Sequence, residues 1–112
     1  MTFYNNIMDT IEETELMYNP CHPGAVLKED VLKPLNMTVT EFAQKIKISR
    51  QVLSGILNEK IGISPAMALK LAKALNTSPD SWLNMQVKYD LWQAKQNVNL
   101  DDVEIINKKK VA

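Results

Sequence analysis

The chain has 112 residues, enough for one domain around a single modest core, and its thirteen basic and thirteen acidic side chains cancel to a formal net charge of zero, which argues against a non-specific nucleic-acid coat protein. One cysteine, Cys21, excludes an internal disulfide, and one histidine, His22, leaves no ligand set for a structural zinc site, so neither metal nor cofactor is expected. No apolar run approaches the roughly 18 residues of a membrane span, and the opening MTFYNNIMDT has neither the basic start nor the apolar stretch of a secretory signal, so a cytoplasmic protein without a membrane partner is expected.

Residues 1–21 read as an N-terminal extension: Asp9, Glu12, Glu13 and Glu15 are unaccompanied by any base up to residue 19, and Ile7 and Ile11 in IMDTIEETELM are spaced as on one helical face. NPCHPG ends this leader. Val26, Leu27, Val31 and Leu32 then recur at helical spacing, and Pro34 is expected to stop the first helix. In the next segment Thr38 and Glu41 make a capping box, and Val39, Phe42, Ala43 and Ile46 form an apolar stripe for a second helix. Ser49 is placed to cap a third, only about three residues further on. Ser64 with Pro65 and Ser78 with Pro79 repeat one start signal, a side-chain oxygen followed by proline at the first helical position, and open helices four and five. No convincing period-two alternation occurs apart from a weak VEII in the tail, so the fold class is all-α: a helical domain over residues 22–96 and a charged tail over 97–112, where DDVE precedes NKKK.

Charge is uneven along this chain. Residues 40–75 hold Lys45, Lys47, Arg50, Lys60, Lys70 and Lys73 against only Glu41 and Glu59. In the third helix, SRQVLSGILNEK, the residues Val52, Leu53, Ile56 and Leu57 fall within an arc of about 140°, while Arg50, Gln51, Ser54, Gly55 and Asn58 occupy a separate arc of about 140°. The polar arc contains no acid. A guanidinium, two carboxamides and a hydroxyl are the groups that reach guanine, adenine and phosphate edges. Gly55 in mid-helix costs about 1 kcal/mol against alanine, and is either an unselected small residue or the mark of a close backbone approach. Two short helices joined by a tight turn, the second with a polar outer face, make a helix-turn-helix whose second helix enters the major groove.

Residues 22–96 resemble the Xre/Cro-type helix-turn-helix proteins of the HigA antitoxin (VapI) group, through HPGAVLKEDVLKPL, TEFAQKIKISRQVLSGILNEK, ISPAMALKLAKALNTSPDSWLNMQ and YDLW in that order. The resemblance implies a five-helix lambda-repressor-like bundle that binds double-stranded operator DNA as a homodimer, neutralises a HigB-type ribonuclease toxin and represses its own operon. It also implies that Arg50, Gln51 and Ser54 read base edges or phosphates, that Ser49 and Asn58 are capping and flanking contacts, and that Lys60 anchors a phosphate. Two positions depart from the pattern. Lys47 stands where related sequences often have glycine in the turn, so either lysine accepts a left-handed backbone at roughly 1 kcal/mol or the turn differs. Val39 replaces a glutamine found early in the second helix of many phage repressors, which leaves Thr38 and Thr40 as substitutes for the backbone clamp.

On helix five, Trp82, Met85, Tyr89 and Trp92 form one apolar stripe and Leu83, Val87 and Leu91 an adjacent one. Together they are wide for one helix of a small domain, so a dimer interface near Leu91 and Trp92 is expected. Helix four, with Ala68, Leu71, Ala72 and Leu75, reads as scaffold, and its Lys70 and Lys73 as solvated. Cys21 beside His22 is the best sign of an enzyme, yet neighbours in a proline-flanked loop rarely supply nucleophile–base geometry, so no catalysis is expected and His22 reads as a capping or packing residue. A stand-alone Xre-type regulator and a pure protein-interaction module share most of these features. The sequence assigns no toxin-binding surface beyond the acidic stretch 7–17.

Overall fold

The computed structural model of the chain describes residues 20–109, and within them every regular element is helical. Helix α1 has three consecutive parts: Pro23–Val26 in α geometry, Leu27–Leu32 in π geometry and Lys33–Leu35 again in α geometry. Then follow α2 (Val39–Ile46), α3 (Arg50–Leu57), α4 (Pro65–Leu75) and α5 (Pro79–Asn97). The five helices expected from the sequence are present. The acidic stretch 7–17 lies outside the described residues.

Every expected helix start is built from its cap. Thr38 and Glu41 exchange both bonds of the capping box at 3.1 and 3.0 Å, while Ser49, Ser64 and Ser78 each accept a first-turn N–H at 3.1 Å. The helix ends share a device that the sequence did not announce. Asn36, Lys47, Glu59 and Asn76 all take positive φ, between 54° and 62°. In each case the following residue, Met37, Ile48, Lys60 or Thr77, returns its N–H to the carbonyl five residues back, which satisfies a helix-end acceptor.

The expected stop at Pro34 is corrected by one residue. The helix continues to Leu35, with Pro34 near the start of its last short α segment. Proline has no N–H and its ring crowds the carbonyl four residues back; the preceding π stretch, in which Lys33 N–H bonds to the Lys28 carbonyl, is a wider coil than the α-helix.

Leu27, Leu53, Ala68 and Leu71 are sealed from solvent and form the centre of the core, with Phe42, Ala43, Ile46, Ile56 and Trp82 around them. Burying the leucine, isoleucine and phenylalanine side chains among them contributes about 1.5–3 kcal/mol each. Helix α1 packs on α3 and α5, α2 on α3 and α4, and α4 on α5. Of the apolar face expected on α3, Leu53, Ile56 and Leu57 are buried, whereas Val52 is 37% exposed and sits at the rim. The two stripes of α5 separate: Trp82 is buried, Leu83, Met85, Tyr89 and Trp92 are half-buried, and Val87 and Leu91 face solvent.

Two contacts fix how α3 is held. A methyl group on Gly24 would fall 1.8 Å from the Ile56 carbonyl oxygen, so only glycine lets α1 lie this close to the α3 backbone. The approach at Gly55 is made by a side chain and not by a backbone: the Ile61 methyl lies 2.4 Å from where a Cβ would stand, because the chain after α3 folds back and Lys60 and Ile61 both donate to the Gly55 carbonyl. A third tie, absent from the sequence reading, is Gln86. Buried on α5, it accepts from Ile63 N–H at 2.8 Å and donates to Asp90 at 2.9 Å, binding the α3–α4 connection to α5.

His22 is the N-cap of α1: its Nδ1 accepts the Gly24 N–H at 2.9 Å, and the ring is 3% exposed and edge-on to Tyr89. Burial lowers its pKa below the usual 6.5, against a smaller opposing pull from Glu59 and Asp90. The unfolded chain therefore binds this proton more readily than the folded one. The cap contributes fully above about pH 6.5 and is lost as pH falls from there through the lower folded value. Urea unfolding between pH 7.5 and 5 is expected to show stability falling with acidification, and His22→Asn, which caps without titrating, to flatten that slope.

Candidate DNA interface

The helix-turn-helix is α2, the three residues 47–49 and α3. The turn closes on Lys47, which adopts the left-handed conformation (φ 61°, ψ 49°), so of the two possibilities open from the sequence the strained lysine is the one adopted. Lys70 of α4, expected to be solvated, reaches across and donates from Nζ to the Lys47 carbonyl at 3.0 Å. A cation at the end of a helix also matches the negative end of its dipole.

At the front of the motif, Arg50 Nε donates to Thr40 Oγ1 at 3.2 Å. This bond joins the first turn of α2 to the first turn of α3. It uses one edge of the guanidinium and leaves the two terminal nitrogens, the fork that matches guanine O6 and N7 or a phosphate. Arg50 and Gln51 are exposed and adjacent. Ser49 has its hydroxyl oxygen committed to Val52 N–H, which makes it a start signal for α3 before anything else. Further along the helix, Asn58 Nδ2 donates to Ser54 Oγ at 3.4 Å, Ser54 is half-buried, and Lys60 is exposed just past the left-handed Glu59. The structure thus brings Thr40 and Arg50 together at one end of the face and Ser54 and Asn58 at the other.

Thr38 has less to offer than its position suggests. Its N–H is bound by the Glu41 carboxylate and its oxygen accepts Glu41 N–H; hydrogen bonding from the Thr38 backbone amide, and then from its side chain, holds the Glu41 carboxyl below its ordinary value, so the first turn of α2 carries a negative charge.

Among the described residues, no group of three or more His, Cys, Asp or Glu is arranged to hold a metal ion, and no helix is long and apolar enough to cross a membrane.

A short capped helix, a three-residue turn that opens on a left-handed lysine and a second helix with an acid-free outer face define a helix-turn-helix of the DNA-binding class. The helix-turn-helix family model matches residues 28–82. The chain is 49% identical over 78 residues to virulence-associated protein A' of Dichelobacter nodosus, covering 69% of this chain and 67% of that protein. It is 34% identical over 76 residues to antitoxin HigA-1 of Vibrio cholerae, covering 68% and 71%. Among solved structures it superposes on the Pseudomonas aeruginosa antitoxin HigA with higBA promoter at a TM-score of 0.67 and 32% identity, covering 69% of this chain and 84% of that one. The chain belongs to the Xre-like helix-turn-helix family of HigA-type antitoxins and virulence-associated proteins, a family of regulators and not of catalysts.

Thr40→Val removes the acceptor for Arg50 while preserving shape. It is expected to change unfolding free energy by no more than about 1 kcal/mol, since an exposed hydrogen bond contributes little net stability, but to free the guanidinium. The Arg50 Nε–H signal in nitrogen-15 NMR should then exchange rapidly with water, and Thr40→Ser should restore its protection.

Proposed function

We propose that this protein binds a pseudo-palindromic operator in double-stranded DNA as a homodimer, represses its own operon, and neutralises a HigB-type ribonuclease toxin. The observation that carries the DNA part is the acid-free exposed face of α3, on which Thr40 holds Arg50 by Nε with its fork free. A second support is the relative solved with its promoter, whose fold this chain shares. In this reading α3 lies in the major groove, Arg50 and Gln51 read base edges, Ser54 and Asn58 line the groove further along, and Lys60, Thr38 and Thr40 meet the phosphates.

Replacing Arg50 or Gln51 by alanine should cost about 1–3 kcal/mol of operator binding and relax the preference at one base pair. Lys60→Ala should weaken operator and random DNA alike and flatten the salt dependence. Equal wild-type affinity for operator and random DNA at matched salt would overturn this assignment.

The dimer is assigned to the outer face of α5. Val87 and Leu91, one turn apart, are 59% and 53% exposed, more than a solitary small domain gains from showing to water. Trp92 flanks this stripe. Half-sites about one DNA turn apart require two copies of α3 related by a two-fold axis, and a self-complementary patch supplies one. Leu91→Asp is expected to convert a sedimenting dimer to monomer at micromolar concentration and to weaken operator binding in parallel. Monomeric wild type, with and without operator, would refute the dimer.

The toxin part rests on kinship with the HigA antitoxin and on the acidic stretch 7–17, whose charge suits a ribonuclease that must be cationic to hold RNA. A chain beginning at Asn19 is expected to bind operator normally but to rescue growth against the toxin less well than the full chain. Equal rescue would remove the acidic stretch from neutralisation.

A further inference from the structure

On the side of the domain where α1, α5 and the α3–α4 connection meet, a cavity of about 330 Å³ is lined by Cys21, His22, Glu59, Tyr89, Trp92 and Gln93 among others. Nothing in the DNA reading uses it. Three of its walls are aromatic rings, with His22 and Tyr89 meeting edge to face at 4.8 Å and 83°. Because His22 Nδ1 accepts a backbone N–H, the ring is a neutral wall and adds no positive charge. Glu59 supplies a carboxylate, and both Glu59 and Asp90 lie near enough for their fields to reach His22. Gln93 donates its amide N–H to the Tyr89 hydroxyl at 3.0 Å, which leaves its carbonyl oxygen as an acceptor. Among the described residues, no lysine or arginine lines the cavity.

We propose that this pocket takes the guanidinium of an arginine side chain from a basic partner protein. Aromatic faces attract a cation through their quadrupole, most strongly in tryptophan, and the planar, weakly hydrated guanidinium stacks there better than an ammonium. The Glu59 carboxylate and the Gln93 carbonyl are acceptors for its N–H groups. A protein occupant, and not a free metabolite, is favoured by charge complementarity: Glu59 lines the pocket, and the sequence leading into Pro20, itself a lining residue, carries Asp9, Glu12, Glu13 and Glu15 without a base. Charge of this sign suits the basic surface of a protein. That this surface belongs to the toxin rests on the function proposed above; the pocket's preference for a guanidinium does not.

The test uses the full chain labelled with nitrogen-15 and three probes at matched ionic strength: capped Gly-Arg-Gly, its citrulline counterpart, which is isosteric but uncharged, and free arginine. The indole N–H of Trp92 reports the pocket, and that of Trp82, buried and donating to Thr77, reports the core. Capped Gly-Arg-Gly is expected to shift the Trp92 signal saturably at millimolar concentration and to slow alkylation of the exposed Cys21, with Trp82 unmoved. The citrulline peptide should do neither, and Glu59→Gln should weaken the arginine response at least several-fold with the Trp82 signal unchanged. An unmoved Trp92, or equal shifts with arginine and citrulline, would overturn the pocket. Free arginine binding as well as or better than the capped peptide would overturn the protein partner, and none of these outcomes touches operator binding.

Discussion

Recognition by this fold depends on holding one short helix from behind. Helix α3 has eight residues, too few to persist alone in water, and its outer face must stay free. Its position is therefore set by the inner face, where Leu53 and Ile56 enter the core and Gly24 lets the backbone of α1 touch the Ile56 carbonyl. No side chain on α1 could replace that contact, since the space for a Cβ is already taken by the oxygen. The His22 cap, the Tyr89 ring against it and the Gln86 bridge from α5 then fix α1 and the connection after α3 relative to each other. The groups that hold the recognition helix in place lie on its far side, remote from the face it presents.

A second layer of control acts on the front. Lys70 from α4 grips the turn through the Lys47 carbonyl, and Thr40 from α2 holds Arg50. The first bond ties the turn to α4, and the second spans the two helices of the motif, so it sets the angle between α2 and α3 as well as the direction of a side chain. The carboxylate of Glu41 works the other way, occupying the Thr38 amide at the start of α2 and placing a negative charge where an anion would approach.

Much of this was legible because helix starts are local. A serine or threonine, with a glutamate or proline at the right offset, satisfies its own first turn whatever the tertiary structure, and each start read from Thr38, Ser49, Ser64 and Ser78 is where the helix begins. Helix ends were harder. Asn36, Lys47, Glu59 and Asn76 are not glycine, and their left-handed geometry is imposed by the chain's return to the core. Val52 shows the limit of periodicity, since a position on the apolar arc is buried only if a partner element reaches it. Gln86 and Lys70 were missed for a related reason: their partners are the Ile63 amide and the Lys47 carbonyl, each 23 residues away, and a backbone group carries no sequence signature. On α5, patterning identified both stripes, but which one faced solvent was decided by how α1 and α4 pack.

The four left-handed residues carry a thermodynamic consequence. Each turns the chain so that the next residue's N–H reaches the carbonyl five residues before it, and a side chain heavier than glycine narrows the alternatives open to the connector. The connections on either side of α2 are only about three residues long, and the longer one after α3 is pinned by the Lys60 and Ile61 amides that donate to the Gly55 carbonyl, so the motif meets its ligand as one stiff body. Little ordering remains to be done on association, and the entropy that a looser surface would lose on docking has already been spent during folding.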